Sequence, residues 1–172
     1  MLLLAACGGR DGQLSDWERE NQDRLAREAV DKETVNRFPA LPQPKDLMEF
    51  GVDGASSFRF YVDRASLSVA EGGVVRYTLV ARSAGGVENI SYEGARCPTG
   101  EHRIYAVASG GAWRASPGGW KPLAQRWDAV LHREYFCPQS VPIRNVAEGV
   151  RALQDGGHPF SRGFSADPYR SR

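Results

Sequence analysis

The feature that most constrains this chain is an alternation of apolar and polar residues near its middle. In GVVRYTLVARS, residues 73–83, the residues Val75, Tyr77, Leu79 and Ala81 would share one face of an extended segment, and mainly polar side chains would share the other. A period of two indicates a β-strand with one buried face. Shorter stretches of the same kind lie at residues 58–62, 67–69, 87–96 and 103–108. We therefore predict four or five strands.

The connections between these strands decide how they pair. EGG at residues 71–73 and AGG at residues 84–86 are short and rich in glycine. A crossover between parallel strands needs a dozen or more residues, whereas a tight turn joins antiparallel neighbours. The predicted sheet is therefore an antiparallel meander.

Two helices are predicted after the strands. Residues 123–136 lie between two prolines, and residues 145–154 begin at Asn145, which can cap the first turn while Glu148 returns a bond. Val146, Val150 and Leu153 would form one apolar face of the second helix. We expect both C-terminal helices to cover one face of the sheet, which makes the fold class α+β.

The organisation along the chain follows from composition. Residues 1–7 resemble the end of a signal peptide, and residues 8–46 are acidic and end in the proline-rich run FPALPQPK, typical of a tether. We expect one folded domain over residues 47–157. Residues 158–172 lack a periodic pattern and are predicted to be a flexible tail.

The residues before Cys7 point to the cell envelope. Leucines and alanines run directly into Cys7 and two glycines, a pattern that resembles a bacterial lipobox, in which the cysteine is lipidated and becomes the N-terminus. No basic residue precedes the leucines, so we expect a start codon upstream of Met1. Gly8 is not the aspartate that retains many lipoproteins at the inner membrane. The expected location is therefore the periplasmic side of the outer membrane.

Cys97 and Cys137 fit an exported protein. They are far apart in the chain, and their spacing matches neither a CxxC redox pair nor a zinc-binding knuckle. A structural disulfide is the preferred interpretation, and two buried free thiols are the alternative.

An ordered series of segments carries a resemblance to a known family. The segments are FRFYVDRASLSV, GVVRYTLVARS, NISYEGARC, HRIYAV, YFCP and VPIRNVAEGVRAL. Together they resemble the cryptic neisserial protein-like family of small exported proteobacterial proteins, over residues 47–157. The resemblance implies an exported single domain of unknown function. It implies no catalytic residue, substrate or cofactor.

The candidates for catalysis are few. Asp128 and His132 are four residues apart on a predicted helix and could form an orienting and basic pair, but no nucleophile or phosphate-binding motif accompanies them. An exposed polar pair is the preferred interpretation. Because the three histidines are scattered, we predict no metal site, no cofactor and no enzymatic activity.

Three tryptophans offer the best candidate for ligand binding. Trp113, Trp120 and Trp127, with Arg126, could stack on a sugar, base or peptide, although closing a small core is the preferred role of such tryptophans. A net charge of +1 argues against nucleic acid as a partner. The sequence thus predicts a non-enzymatic envelope lipoprotein that acts as a structural or interaction module with a possible envelope protein partner. The alternative is a periplasmic ligand-binding domain.

Overall fold

The computed structural model describes residues 15–22, 37–52 and 57–162. The chain divides into two units, Met1–Glu33 and Thr34–Arg172. In the first unit, helix α1 covers residues 16–22, and the carboxylate of Glu18 accepts a hydrogen bond from the backbone N–H of Ser15. Cys7, most of the predicted tether and the last ten residues lie outside the described residues. Within the described ranges, no helix is long and apolar enough to cross a bilayer.

The second unit is built on a seven-stranded antiparallel sheet. Six strands pair with their sequence neighbours in the order β1 to β6, and β7 pairs with β5. The strands are β1 (Leu47–Phe50), β2 (Phe58–Ala70), β3 (Val74–Ser83), β4 (Glu88–Arg96), β5 (Glu101–Ser109), β6 (Ala112–Ala115) and β7 (Lys121–Pro122). The predicted meander is confirmed. The predicted number of four or five strands is too low because β1, β6 and β7 are too short to show a periodic pattern.

Strand β2 is one long strand where the sequence predicted two short ones. Its pairing with β3 shifts register between Asp63 and Ser68. The polar groups freed by the shift are satisfied locally: the Ser66 hydroxyl donates to the carbonyl of Asp63 at 2.9 Å and accepts from the N–H of Thr78 at 2.8 Å. The predicted break is therefore a bulge within a continuous strand.

The turn between β2 and β3 depends on glycine. Gly72 and Gly73 have φ angles of 71° and 73°, which residues with a side chain rarely adopt. The carbonyl of Gly73 also accepts a hydrogen bond from the N–H of Cys97 at 3.0 Å, so this turn holds the end of β4.

The helices follow β7. Helix α2 (Arg126–Val130) passes directly into a π-helical segment (Leu131–Phe136), and a short 3-10 turn (Pro138–Ser140), helix α3 (Val146–Gln154) and helix α4 (Pro159–Arg162) complete the fold. Two further 3-10 turns lie at Pro44–Asp46 and Glu71–Gly73. The first predicted helix is therefore part α-helix and part π-helix.

Helix α3 begins as predicted, with a different partner for Glu148. The side chain of Asn145 accepts a hydrogen bond from the N–H of Glu148 at 3.0 Å and caps the helix. The Glu148 carboxylate accepts from the N–H of Arg144 at 2.6 Å and lies 3.2 Å from His158 Nε2, instead of closing the capping box on Asn145. These contacts fix the C-terminal end of the unit to α3.

The main core lies between one face of the sheet and the helices. It contains sheet residues such as Val62 and Tyr77 together with helical residues such as Phe136 and Leu153. Helix α3 packs so closely that a Cβ on Gly149 would lie 2.6 Å from Ile143 Cδ1 and 2.9 Å from Leu67 Cδ2. The α+β class and helical cover of one face are confirmed.

A smaller aromatic cluster forms a second hydrophobic centre. Tyr92, Tyr105 and Ala106 are buried there with Phe38, Trp113 and Trp120 around them. The indole N–H of Trp113 donates to the carbonyl of Pro39 at 2.8 Å, which draws this part of the proline-rich segment onto the sheet. Past residue 157, His158 is buried and α4 packs against the π-helical segment. The packed unit thus extends beyond the predicted limits 47–157 on both sides.

Candidate functional site

A cleft opens where two short strands share β5 as their partner. β6 pairs with residues 106–109 and β7 with residues 101–102, so the loop between them crosses the middle of β5. The cavity measures about 470 Å³. We call it the β5 cleft, and it is lined by His102, Arg103, Ile104, Ser116, Gly118, Gly119, Lys121, Ala124, Gln125 and Trp127.

The walls of the β5 cleft combine an aromatic ring with cationic groups. Trp127 stacks on Phe60 with ring centroids 6.0 Å apart and meets the ring of His102 edge-on. Arg103 Nε donates to the carbonyl of Gly118 at 3.1 Å, which fastens the loop to β5. Lys121 is exposed at the rim. The cleft therefore has a fixed apolar wall and a positively charged entrance.

Two buried carboxyl groups adjoin lining residues of the cleft: Asp128 follows Trp127 in α2, and Glu93 pairs with Ile104 across β4 and β5. Both Asp128 and Glu93 are 1% exposed. One oxygen of Asp128 accepts from the N–H of Gln125 at 3.1 Å and lies 3.8 Å from His102 Nε2. These contacts correct the expectation of an exposed pair of Asp128 and His132: both side chains are buried, and Asp128 faces the backbone of its own first turn because it caps α2.

Glu93 sits in an environment that disfavours its charge. Burial raises the pKa of Glu93 to about 7, and the negative charge of Asp128 acts in the same direction. The Ser91 hydroxyl, which donates to one Glu93 oxygen at 2.5 Å, opposes the rise. Tyr77 lies opposite on β3, and burial followed by the Glu93 charge raises the pKa of its hydroxyl. Near neutral pH this carboxyl group is therefore divided between its two protonation states.

A second cavity adjoins the disulfide. Cys97 at the end of β4 and Cys137 at the end of the π-helical segment are bonded, with their Cα atoms 5.1 Å apart and both side chains buried. The predicted bridge is confirmed. We call the neighbouring cavity of about 450 Å³ the disulfide pocket, and it is lined by Pro98, Thr99, Gly100, Pro122, Leu123, His132, Arg133, Cys137, Gln139 and Ser140.

The π-helical segment places His132 beside the bridge. Residues five apart on an α-helix point about 140° away from each other, whereas an i to i+5 turn returns them to the same side. Here the N–H of Cys137 donates to the carbonyl of His132 at 2.7 Å. As a result the His132 ring and both sulfur atoms lie within 4.8 Å of one another.

The His132 ring is buried and is not held by a well-formed hydrogen bond. Among the described residues, neither ring nitrogen makes a hydrogen bond of acceptable geometry. Burial lowers the pKa of His132, and the nearby carbonyl groups of Cys97 and Arg96 only partly oppose this. The imidazole is therefore mainly neutral at pH 7.

The loop after Cys137 is strained at the edge of the disulfide pocket. Gln139 and Ser140 have φ angles of 56° and 63°, in the left-handed region that favours glycine. Backbone strain of this kind persists where surrounding contacts impose it, and it is concentrated at functional sites.

The residues predicted for ligand binding do not lie together. Trp113 and Trp120 belong to the aromatic cluster, where Trp120 lies 4.1 Å from the guanidinium of Arg96. Trp127 lines the β5 cleft, and Arg126 is exposed but does not line it. No role for Glu93 or His102 was predicted from the sequence, because Asp128 comes near them only through the tertiary packing of α2 against the sheet.

The comparisons with known proteins identify a family. The family model of the CNP1-like family matches residues 26–154. No curated protein and no solved structure matches the chain. Because the family match covers most of the sequence, the chain belongs to the CNP1-like family.

Proposed function

We propose that this chain is a lipid-anchored protein of the bacterial cell envelope that binds a small organic anion in the β5 cleft and catalyses no reaction. The observation that carries the proposal is the pairing of the Trp127 wall with the cationic rim of Arg103 and Lys121. A site of this kind suits a ligand with one apolar or aromatic face and one negative group.

Four features support the location. Disulfides persist mainly in oxidising compartments, and the Cys97–Cys137 bridge is buried in the core. Cys7 follows a lipobox-like run, and the family resemblance drawn from the sequence implies export. Gly8 after Cys7 favours the outer membrane.

The proposed partners are the membrane, through the lipid, and the small anion; an envelope protein partner remains part of the proposal.

Binding is favoured over hydrolysis by the arrangement of the polar groups. Ser116 and His102 both line the β5 cleft, but the structure shows no hydrogen bond between them, and His102 Nδ1 has no hydrogen-bond partner among the described residues. A nucleophile must lie within hydrogen-bond reach of its base. The cleft instead presents donors to a bound anion.

Binding of 8-anilinonaphthalene-1-sulfonate tests the proposal, because this probe combines an aromatic face with a sulfonate. We expect Lys121→Ala to weaken its binding by about threefold to tenfold, the loss of one charge-assisted hydrogen bond at a partly exposed site. The neutral analogue N-phenyl-1-naphthylamine should bind Lys121→Ala and the parent chain equally. Fluorescence titration measures both.

Lys45→Ala is the matched control, since Lys45 is an exposed lysine beside β1, at the other end of the strand order. Its binding of both probes should equal that of the parent chain, and Trp127→Ala should weaken both. Equal sulfonate binding by Lys121→Ala and the parent chain would contradict the proposal, as would an equal loss in Lys45→Ala.

A further inference from the structure

We propose that Cys97, Cys137 and His132 form a binding site for Zn²⁺ when their disulfide is reduced. The sulfur atoms and a ring nitrogen lie within 4.8 Å of one another, and all three side chains are buried. Two thiolates and an imidazole are ligands that Zn²⁺ prefers. The sequence alone gave no sign of this site, because its ligands converge only through the π-helical segment.

Backbone hydrogen bonds also position the three ligands, in addition to the S–S bond. The N–H of Cys97 donates to Gly73 at 3.0 Å, and the N–H of Cys137 donates to the carbonyl of His132 at 2.7 Å. The N–H of Ile143 donates to the carbonyl of Phe136 at 2.9 Å, which fixes the chain on both sides of Cys137. Reduction breaks none of these bonds directly, so a reduced domain that stays folded keeps the thiols beside His132.

The His132 ring is a buried polar group that no well-formed hydrogen bond stabilises in the oxidised protein. Its two nitrogens have no hydrogen-bond partner of acceptable geometry among the described residues. Buried polar groups without partners are rare and usually mark a missing ligand, water or ion. A metal ion between the sulfurs and the imidazole would satisfy one nitrogen.

The disulfide pocket supplies the remaining coordination position. It is lined by both Cys137 and His132 and measures about 450 Å³, ample for a water molecule on the metal. Three protein ligands plus water is the arrangement of open zinc sites. The two sulfurs are 2.05 Å apart in the bridge. A metal–sulfur distance of about 2.3 Å with tetrahedral angles places two thiolates about 3.8 Å apart, so the sulfurs must separate when the bond is reduced and the ion binds.

The bridge and the metal site exclude each other chemically. A dithiol reductant transfers two electrons and two protons to the S–S bond, which breaks into two thiols while the reductant becomes a disulfide. Zn²⁺ then binds the two thiolates and releases both thiol protons. The same two sulfurs therefore either join β4 to the helices or hold the ion.

Cobalt binding tests the site, because Co²⁺ substitutes for Zn²⁺ and reports thiolate ligands by an absorption band. The full chain is reduced with dithiothreitol, separated from the reductant without oxygen and titrated with Co²⁺. We expect one Co²⁺ per chain with a sulfur-to-metal charge-transfer band, displaced by Zn²⁺. The oxidised chain should show no such band.

Variants identify the ligands. His132→Ala should weaken Co²⁺ binding at least tenfold, and His132→Gln replaces it if the smaller side chain prevents folding. His158→Ala removes an equally buried histidine outside both cavities described above and should bind Co²⁺ like the parent chain. The proposal is overturned if the reduced chain shows no band, if reduction abolishes its near-ultraviolet circular dichroism, or if loss of His132 leaves binding unchanged.

Discussion

Replacing both bridge cysteines with alanine, Cys97→Ala with Cys137→Ala, is expected to lower the free energy of unfolding by about 4 kcal/mol. The bridge closes a loop with a sequence separation of 40, and in the chain-entropy model a loop of this length stabilises by about that amount. Typical domains have a net stability of about 5–15 kcal/mol. The bridge is therefore a major share of what keeps this domain folded.

Urea denaturation of the full chain measures this loss. Alanine is the appropriate replacement because both sulfurs are buried, and a serine hydroxyl would need a hydrogen-bond partner there. Cys7→Ala is the control, since it removes the remaining cysteine and leaves the bridge intact. A loss below about 1 kcal/mol would show that native contacts, not the crosslink, hold β4 to the π-helical segment.

Glu93→Gln is expected to stabilise the protein at pH 8, by about 3 kcal/mol. Burial raises the pKa of Glu93 from 4.5 to about 7, which corresponds to roughly that free energy. Below pH 4.5 the carboxyl group is protonated in the folded and unfolded states alike, and no penalty arises. Above pH 7 it is ionised in both states, and the folded state carries the cost of a buried charge. Stability contributed by this group is thus lost as the pH rises from 4.5 to 7.

The difference in the free energy of unfolding between variant and parent chain isolates the contribution of Glu93. His132 is present in both, and its lowered pKa makes stability rise with pH, opposite to the effect of Glu93. Urea denaturation at several pH values should give a gap that is near zero at pH 4.5 and largest at pH 8. Glu88→Gln is the matched control, because Glu88 is on the same strand but partly exposed in a pair with Arg82. Its effect should be small compared with that of Glu93→Gln at pH 8. A Glu93→Gln variant less stable than the parent chain at pH 8 would mean that the buried charge is compensated.

The central strands were predictable because their pattern and their turns are local. Residues 74–83 alternate, and the glycines before and after them allow positive φ angles. The bulge in β2 was not predictable, since it depends on Ser66 bonding to Thr78 on the neighbouring strand. The π-helical segment was not predictable either, because a single wide turn over Leu131–Phe136 is too short to produce an apolar period of its own.

The candidate sites were only partly predictable for the same reason. The Cys97–Cys137 bridge followed from cysteine number and spacing. Strand alternation predicts that Glu93 points to the opposite face from Tyr92, but it does not predict which face is buried. The structure shows that Glu93 itself is buried. His102 and Asp128 are distant in sequence and meet through the packing of α2 on β5. The tryptophans are equally spaced in sequence but lie apart in the fold, because Trp127 is in the first turn of α2 while Trp113 lies on β6.

The central claim, an oxidised domain in the cell envelope, is tested most directly by mass spectrometry of the protein taken from cells whose thiols are acid-quenched and alkylated at lysis. Peptides from the membrane fraction should contain Cys97 linked to Cys137 and a lipid-modified Cys7. Recovery of the chain from the cytosolic fraction, with all three cysteines alkylated and no lipid on Cys7, would contradict the account.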